Sequence, residues 1–127
     1  MSKGDGWIVS KDFAEGTRLK SFFKKYPKEF GACFENLSRV VQALIDFGQP
    51  GAFQFGFFRS EGNNVWRIGQ TGIGHSHETR LYVYLFVRGK TVYVLTIGDK
   101  SQQRQDIKRC KDLAKVIEQR SEHEDHK

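Results

Sequence analysis

Two cysteines, two prolines and a single methionine among 127 residues are the first features of this chain. The thiols, Cys33 and Cys110, are too few and too far apart to build a metal site of their own. Each falls on the apolar face of a helical pattern, so both read as buried, reduced structural cysteines. Scarce proline argues against a disordered or linker-rich chain. No apolar run approaches the roughly 20 residues that a membrane-spanning helix needs. The opening stretch "MSKGDGWIVS" has neither an apolar signal core nor a small-residue cleavage site. The expectation is a cytoplasmic protein with no membrane partner. There is no glycine-rich phosphate loop of the P-loop type and no serine or cysteine nucleophile motif, and no cofactor is expected. Repeats, low-complexity blocks and linkers are missing too. This implies one domain over residues 1–127, with polar, loose ends at 1–6 and 121–127.

What the chain has in excess is positive charge. It carries 21 Lys and Arg against 15 Asp and Glu, a net charge of +6, with 38% hydrophobic residues. A basic excess of this kind points to an acidic partner: nucleic acid, an acidic protein or a membrane surface. It is also common in proteins that bind no polyanion.

The pattern along the chain predicts an α+β domain. "WIVS" (7–10) is a short strand candidate. Leu19, Phe22, Phe23 and Tyr26 recur at helical spacing, with Thr17 as N-cap. Pro27 ends that helix and suits the first position of the next. Phe30, Cys33, Leu37, Val40, Val41, Leu44 and Ile45 then mark an amphipathic helix of about 20 residues that stops at Gly48. The pair makes a helical hairpin. In "AFQFGFF" (52–58) the period changes to two, "EGNN" (61–64) is turn chemistry and "VWRIGQ" (65–70) reads as a strand. "TGIGHSHE" (71–78) is a glycine-rich loop, and "TRLYVYLFVRGKTVYVLTIG" (79–98) is a β-hairpin. Ile107, Cys110, Leu113, Ala114 and Ile117 give a last amphipathic helix, with Ser101 as its N-cap. The expected architecture is a helical hairpin packed on a sheet of three to five mainly antiparallel strands, closed by a C-terminal helix.

Side chains alternate along the hairpin strand. Leu81, Val83, Leu85 and Val87 form an aliphatic face that suits the helices. Arg80, Tyr82, Tyr84 and Phe86 form the other, whose composition suits RNA: phosphate pairs with guanidinium and bases stack on rings. Aromatic residues are also ordinary sheet residues. Arg67 points opposite to Trp66 and Ile68 and shares the Arg80 face if those two enter the core. Past the last strand lie Lys100, Ser101, Gln102, Gln103 and Arg104. Basic residues oppose the dipole at a helix N-terminus, while free N–H groups there attract an anion, so the stretch reads either as an anion site or as a solvated helix start. His75 and His77 can act as acid and base near neutral pH; with only Glu78 nearby as a third ligand, no metal is assigned to them.

"WRIG" (66–69), "TRLYVYLFVRGKTVYVL" (79–95) and above all "GDKSQQRQDIKRCKDLAK" (98–115) resemble the RelE/ParE toxin superfamily, in particular its HigB-like branch, over residues 17–119. The resemblance implies the toxin of a type II toxin–antitoxin pair. Such proteins are commonly endoribonucleases that cut mRNA on the ribosome, held in check by an antitoxin, here expected to be a helix-turn-helix protein. ParE members poison DNA gyrase instead, and a binding module with the same fold and no catalysis is a further alternative. Arg67, Arg80 and Lys100 fall at positions that are basic in the family's RNA-cleaving groove. Gly69 stands where some members have a second lysine. Gln103, Arg104, Asp106 and Ile107 stand where some have tyrosine or histidine, and "AFQFGFF" is unusual for the family. The implied reaction is metal-independent attack of a ribose 2′-hydroxyl on the adjacent phosphate. In it Arg67 and Arg80 stabilise the phosphorane, and Lys100 adds charge or serves as the acid. Tyr82 or Tyr84 stacks the base, Gln103 and Arg104 hold RNA, and His75 or His77 is the base if its loop folds over the groove.

Overall fold

The structure, a computed structural model, describes residues 6–74 and 76–125. Its five strands are β1 (Ile8–Ser10), β2 (Phe58–Gly62), β3 (Val65–Gly69), β4 (Thr79–Phe86) and β5 (Thr91–Asp99). They lie in the order β1-β5-β4-β3-β2. Every neighbouring pair is antiparallel except β1 and β5, which run parallel. The helices are α1 (Gly16–Lys25), α2 (Pro27–Phe47), a single turn α3 (Gln49–Ala52) and α4 (Gln103–Asp125), the last entered through a 3₁₀ turn at Lys100–Gln102. The α+β class, the helical hairpin and the largely antiparallel sheet are as the sequence leads one to expect. Among the described residues no helix is long and apolar enough to cross a membrane.

Both faces of the sheet are covered. Leu81, Val83 and Leu85 pack with Leu37, Val40 and Leu44 of α2 in one core. The opposite face, expected to be open, is roofed by α4: Tyr82, Tyr84, Phe86 and Leu95 pack with Cys110, Ala114 and Ile117. The reason is the apolar stripe of α4, which needs a partner when α2 already occupies the first face. All eight residues of β4 are consequently buried.

Several boundaries differ from expectation. "AFQFGFF" is not a strand up to Phe58: Pro50 sits in the first turn of α3, and turns follow before β2. The first helix begins at Gly16 with Glu15, not Thr17, at the cap position. At the last helix it is Asp99, not Ser101, that caps, its carboxylate accepting from the Ser101 N–H at 3.1 Å. The tail read as loose is helical as far as Asp125. The turn between β2 and β3 holds Asn63 and Asn64 at φ of 56° and 61°, the left-handed pair that a tight hairpin uses.

A polar clamp fixes α4 over the sheet. Leu95 is the extra residue of a bulge, since Tyr82 pairs with Thr96 and the next residue, Val83, with Val94. The Leu95 carbonyl accepts the Glu15 N–H at 2.8 Å. The Glu15 carboxylate then binds Arg109 of α4 at 2.9 and 3.2 Å. Arg109 and Arg18 of α1 both donate to Oδ1 of Asp106, at 3.0 and 2.6 Å, and Asp106 is completely buried. Burial alone would raise the Glu15 carboxyl, but the hydrogen bond and charge of Arg109 and the charge of Arg18 hold it below the usual range. Gly98 leaves the space for Asp106: a Cβ there would collide with its Oδ2.

Two glycine substitutions should therefore have opposite signs. Gly98→Ala displaces a buried, paired carboxylate and is expected to destabilise the fold by about 2–3 kcal/mol. Gly31→Ala, inside α2 with nothing within 4 Å of the new methyl group, is expected to stabilise it by about 1 kcal/mol. Urea unfolding of the two variants beside the parent chain measures both.

Candidate anion-binding cleft

The β2–β3 hairpin sets two arginines side by side. Arg59 and Arg67 lie equally far from Asn63 and are direct cross-strand partners. Arg67 in turn pairs with Tyr82 of β4. Arg80 pairs with Gly69 on one side and Gly98 on the other, so no side chain from either neighbouring strand crowds it in that row. Arg59, Arg67 and Arg80 line one cleft of about 470 Å³, whose other walls include Phe57, Gln70, Thr71 and Glu78.

Like charges directly opposite across two strands repel. Two carboxylates relieve the strain in part. Glu61 approaches Arg67 Nε at 3.4 Å, and Glu78 accepts from Arg80 at 3.1 Å. Arg59 donates from Nε to the Gly56 carbonyl at 3.3 Å, and among the described residues it meets no carboxylate within ion-pair distance. Three guanidiniums thus stand against two carboxylates. The Arg80 side chain is only 10% exposed, and one terminal nitrogen, Nη1, is buried with no hydrogen-bond partner among the described residues. An unsatisfied, charged donor beside a cleft suits an oxyanion with several acceptor oxygens.

Of the residues singled out from sequence, Arg67 and Arg80 meet in this cleft. Lys100 does not line it; it is exposed on the 3₁₀ turn, two positions beyond the strand partner of Arg80. Gln103 and Arg104 lie in the first turn of α4 and are also outside the lining. The anion position expected at that helix start is served by the protein's own Asp99, which accepts from both the backbone and the hydroxyl of Ser101. Tyr82 and Tyr84 must be corrected: they are 0% and 3% exposed beneath α4, so no base can stack on them. Burial pushes both phenols well above their usual range, and for Tyr84 the hydrogen bond to Glu118 adds to it. His75 lies outside the described residues.

His77 is held away from the cleft. Its ring lies flat on Tyr26 at 4.1 Å, its Nε2 meets Asp99 at 3.1 Å, and its N–H donates to Glu29 at 3.0 Å. The loop is pinned further by Gln70, which accepts from the Thr79 N–H and donates to Ser76. Neither thiol is available as a nucleophile: burial pushes Cys33 and Cys110 up to about 12. Among the described residues no group of three His, Cys, Asp or Glu side chains converges as metal ligands. Sequence reasoning missed Arg59, although its symmetry with Arg67 about "EGNN" was a signal.

No family model, curated protein or solved structure matches the chain.

Asp99 ties the 3₁₀ turn to the His77 loop, and the links have a pH signature. Hydrogen bonding from Ser101 is the chief reason that its carboxyl lies below the usual range, with burial opposing and His77 assisting. A depressed carboxylate stabilises the fold above its unfolded pKa, about 3.9, and loses that contribution as the pH falls through the lower folded value. Asp99→Ala is expected to destabilise the protein by about 1 kcal/mol at pH 7, mainly as a lost cap. In urea melts at stepwise lower pH, the gap between the parent and the variant should close below about pH 4.

Proposed function

We propose that the protein is an RNA-directed toxin that binds and cleaves single-stranded RNA in the arginine cleft, as the resemblance to HigB-like toxins implies. The observation that carries this reading is the convergence of Arg59, Arg67 and Arg80 in one cleft, with a buried guanidinium nitrogen left unpartnered. Planar guanidiniums match phosphate oxygens two by two, and a rigid strand holds them better than a loop would. In the proposed reaction a ribose 2′-oxygen attacks the adjacent phosphorus, the P–O5′ bond breaks, the departing 5′-oxygen takes a proton from solvent water, and a 2′,3′-cyclic phosphate is formed. Arg67 and Arg80 stabilise the extra negative charge of the phosphorane. Arg59, the most open of the three, meets the approaching strand. Glu78, in the cleft wall, takes the 2′-hydroxyl proton. Lys100, at the same end of the sheet, serves RNA bound beyond the cleft rather than the reacting phosphate. The proposed setting is cytoplasmic, with mRNA on the ribosome as target and a helix-turn-helix antitoxin as partner.

A second reading is favoured by one specific feature. Among the described residues, the cleft lining contains no histidine, tyrosine or lysine. Among the described lining residues, Glu78 is the one carboxylate, and it is already paired with Arg80. Under this reading the cleft binds RNA phosphates without cutting them.

Induced expression in growing bacteria, followed by primer extension on mRNA, separates the two. Parent chain and Arg67→Ala are compared; Arg67 is more exposed than Arg80, and its loss leaves the cores intact. Growth arrest with new cuts in translated frames, both reduced at least about a hundredfold in the variant, is the expected result. Arrest with intact mRNA would favour binding without cleavage, or a protein target such as gyrase. Full toxicity in Arg67→Ala would overturn the assignment of the cleft.

A further inference from the structure

Burial of Tyr82 and Tyr84 removes the rings on which a base was expected to stack, yet the cleft still has an aromatic wall. Phe57 lines it directly, beside Arg59 and Arg67. The Phe55 ring backs Phe57 at a centroid distance of 4.7 Å, 20° from parallel. Both rings are half-buried against the α2-side core, so neither is free to swing. The turn that carries them is tied to both strands of the arginine hairpin. Arg59 donates to the Gly56 carbonyl at 3.3 Å, and the Gly69 N–H donates to the Phe57 carbonyl at 2.9 Å. Gly56, between the two rings, is exposed and has nothing within 4 Å of where a Cβ would stand, so the approach to the turn is open.

This arrangement joins two chemistries in one cavity. Guanidiniums alone would take any oxyanion, and a phenylalanine pair alone would take any flat apolar group. A nucleotide presents both, a phosphate and a base on one ribose. We propose that Phe57, backed by Phe55, is the stacking platform for an unpaired base of the strand whose phosphate lies among Arg59, Arg67 and Arg80. The inference rests on the RNA-binding reading above and adds to it that the ligand is single-stranded, because a base inside a duplex has no free face to offer. Stacking on a ring requires a π-face and no particular hydrogen-bonding edge, so the platform tolerates every base.

The test uses the full chain and a short, fluorescently labelled 2′-O-methyl oligoribonucleotide, which cannot be cut through the 2′-oxygen. A second strand has the same backbone with abasic residues throughout, and inorganic polyphosphate serves as a base-free polyanion. Anisotropy titrations give three affinities each for the parent chain, Phe57→Leu, Phe57→Trp and Arg67→Ala. The parent should bind the base-bearing strand about 5- to 150-fold more tightly than the abasic one. Phe57→Leu should erase that gap and leave polyphosphate binding unchanged, while Phe57→Trp should keep the gap. A parent chain that binds both strands alike, or a Phe57→Leu variant that retains the gap, overturns the platform. In either case polyphosphate binding weakened by Arg67→Ala would leave the cleft reading standing. If the parent binds neither strand nor polyphosphate, or Arg67→Ala changes none of the three, the RNA reading fails and the platform with it. Should Phe57→Leu prove unfolded, the strand comparison in the parent and in Phe57→Trp decides.

Discussion

The arrangement of this molecule hangs on one buried carboxylate. Asp106 sits on α4, yet it is answered from α1 by Arg18 and accommodated on β5 by the missing side chain of Gly98. Asp106 is fully buried between two arginine partners, and loss of both would leave an uncompensated charge in the interior, at a cost of about 3–5 kcal/mol. The first helix, the last strand and the last helix are therefore held at one point. With the start of α4 fixed there, its apolar stripe falls on Tyr82, Tyr84 and Leu95 and closes the second core. The face that would otherwise be open to solvent becomes interior, and polar chemistry is displaced to the far margin of the sheet, where Arg59, Arg67 and Arg80 converge.

The displaced arginines illustrate how a sheet can hold charge that does not favour its own folding. Arg59 opposite Arg67 is a repulsive pair, and Glu61, beside Arg67, offsets it only in part. Glycine on each side of Arg80 gives up β-propensity and packing to leave its guanidinium uncrowded. Features of this kind weaken a fold locally, and they are intelligible where an anion supplies the missing compensation.

Much of the architecture was legible because hydrophobic periodicity carries it. The alternation of Leu81, Val83 and Leu85 against Tyr82, Tyr84 and Phe86 assigned the two faces of β4 correctly. What periodicity does not carry is which layer covers which face. The aromatic face looked like an RNA surface since its composition suits both an interface and an interior, and only the path of α4 decides between them. The same ambiguity left "AFQFGFF" open between strand and turn: its phenylalanines anchor a turn, with Phe53 and Phe58 stacked on Trp66. Arg67 and Arg80 were recoverable as a pair because strand parity places them on one side. Lys100 and His77 were not separable from them, because their distance from the cleft depends on the Asp99 cap and the Tyr26 stack, both long-range or local contacts without a periodic signature.

The parallel pairing of β1 with β5 sets Ile8 beside Thr91, so strands near opposite ends of the chain meet in the finished sheet. Contacts that span so much of a sequence are formed late, because the entropy of closing the loop must be met before the pairing rewards it. In chain order the β2–β3 hairpin, with Arg59 and Arg67, precedes its sheet partner β4. The positive cleft can therefore be completed only once β4, which brings Arg80, has followed the hairpin. Chain order thus places two of the cleft's arginines ahead of the strand that supplies the third.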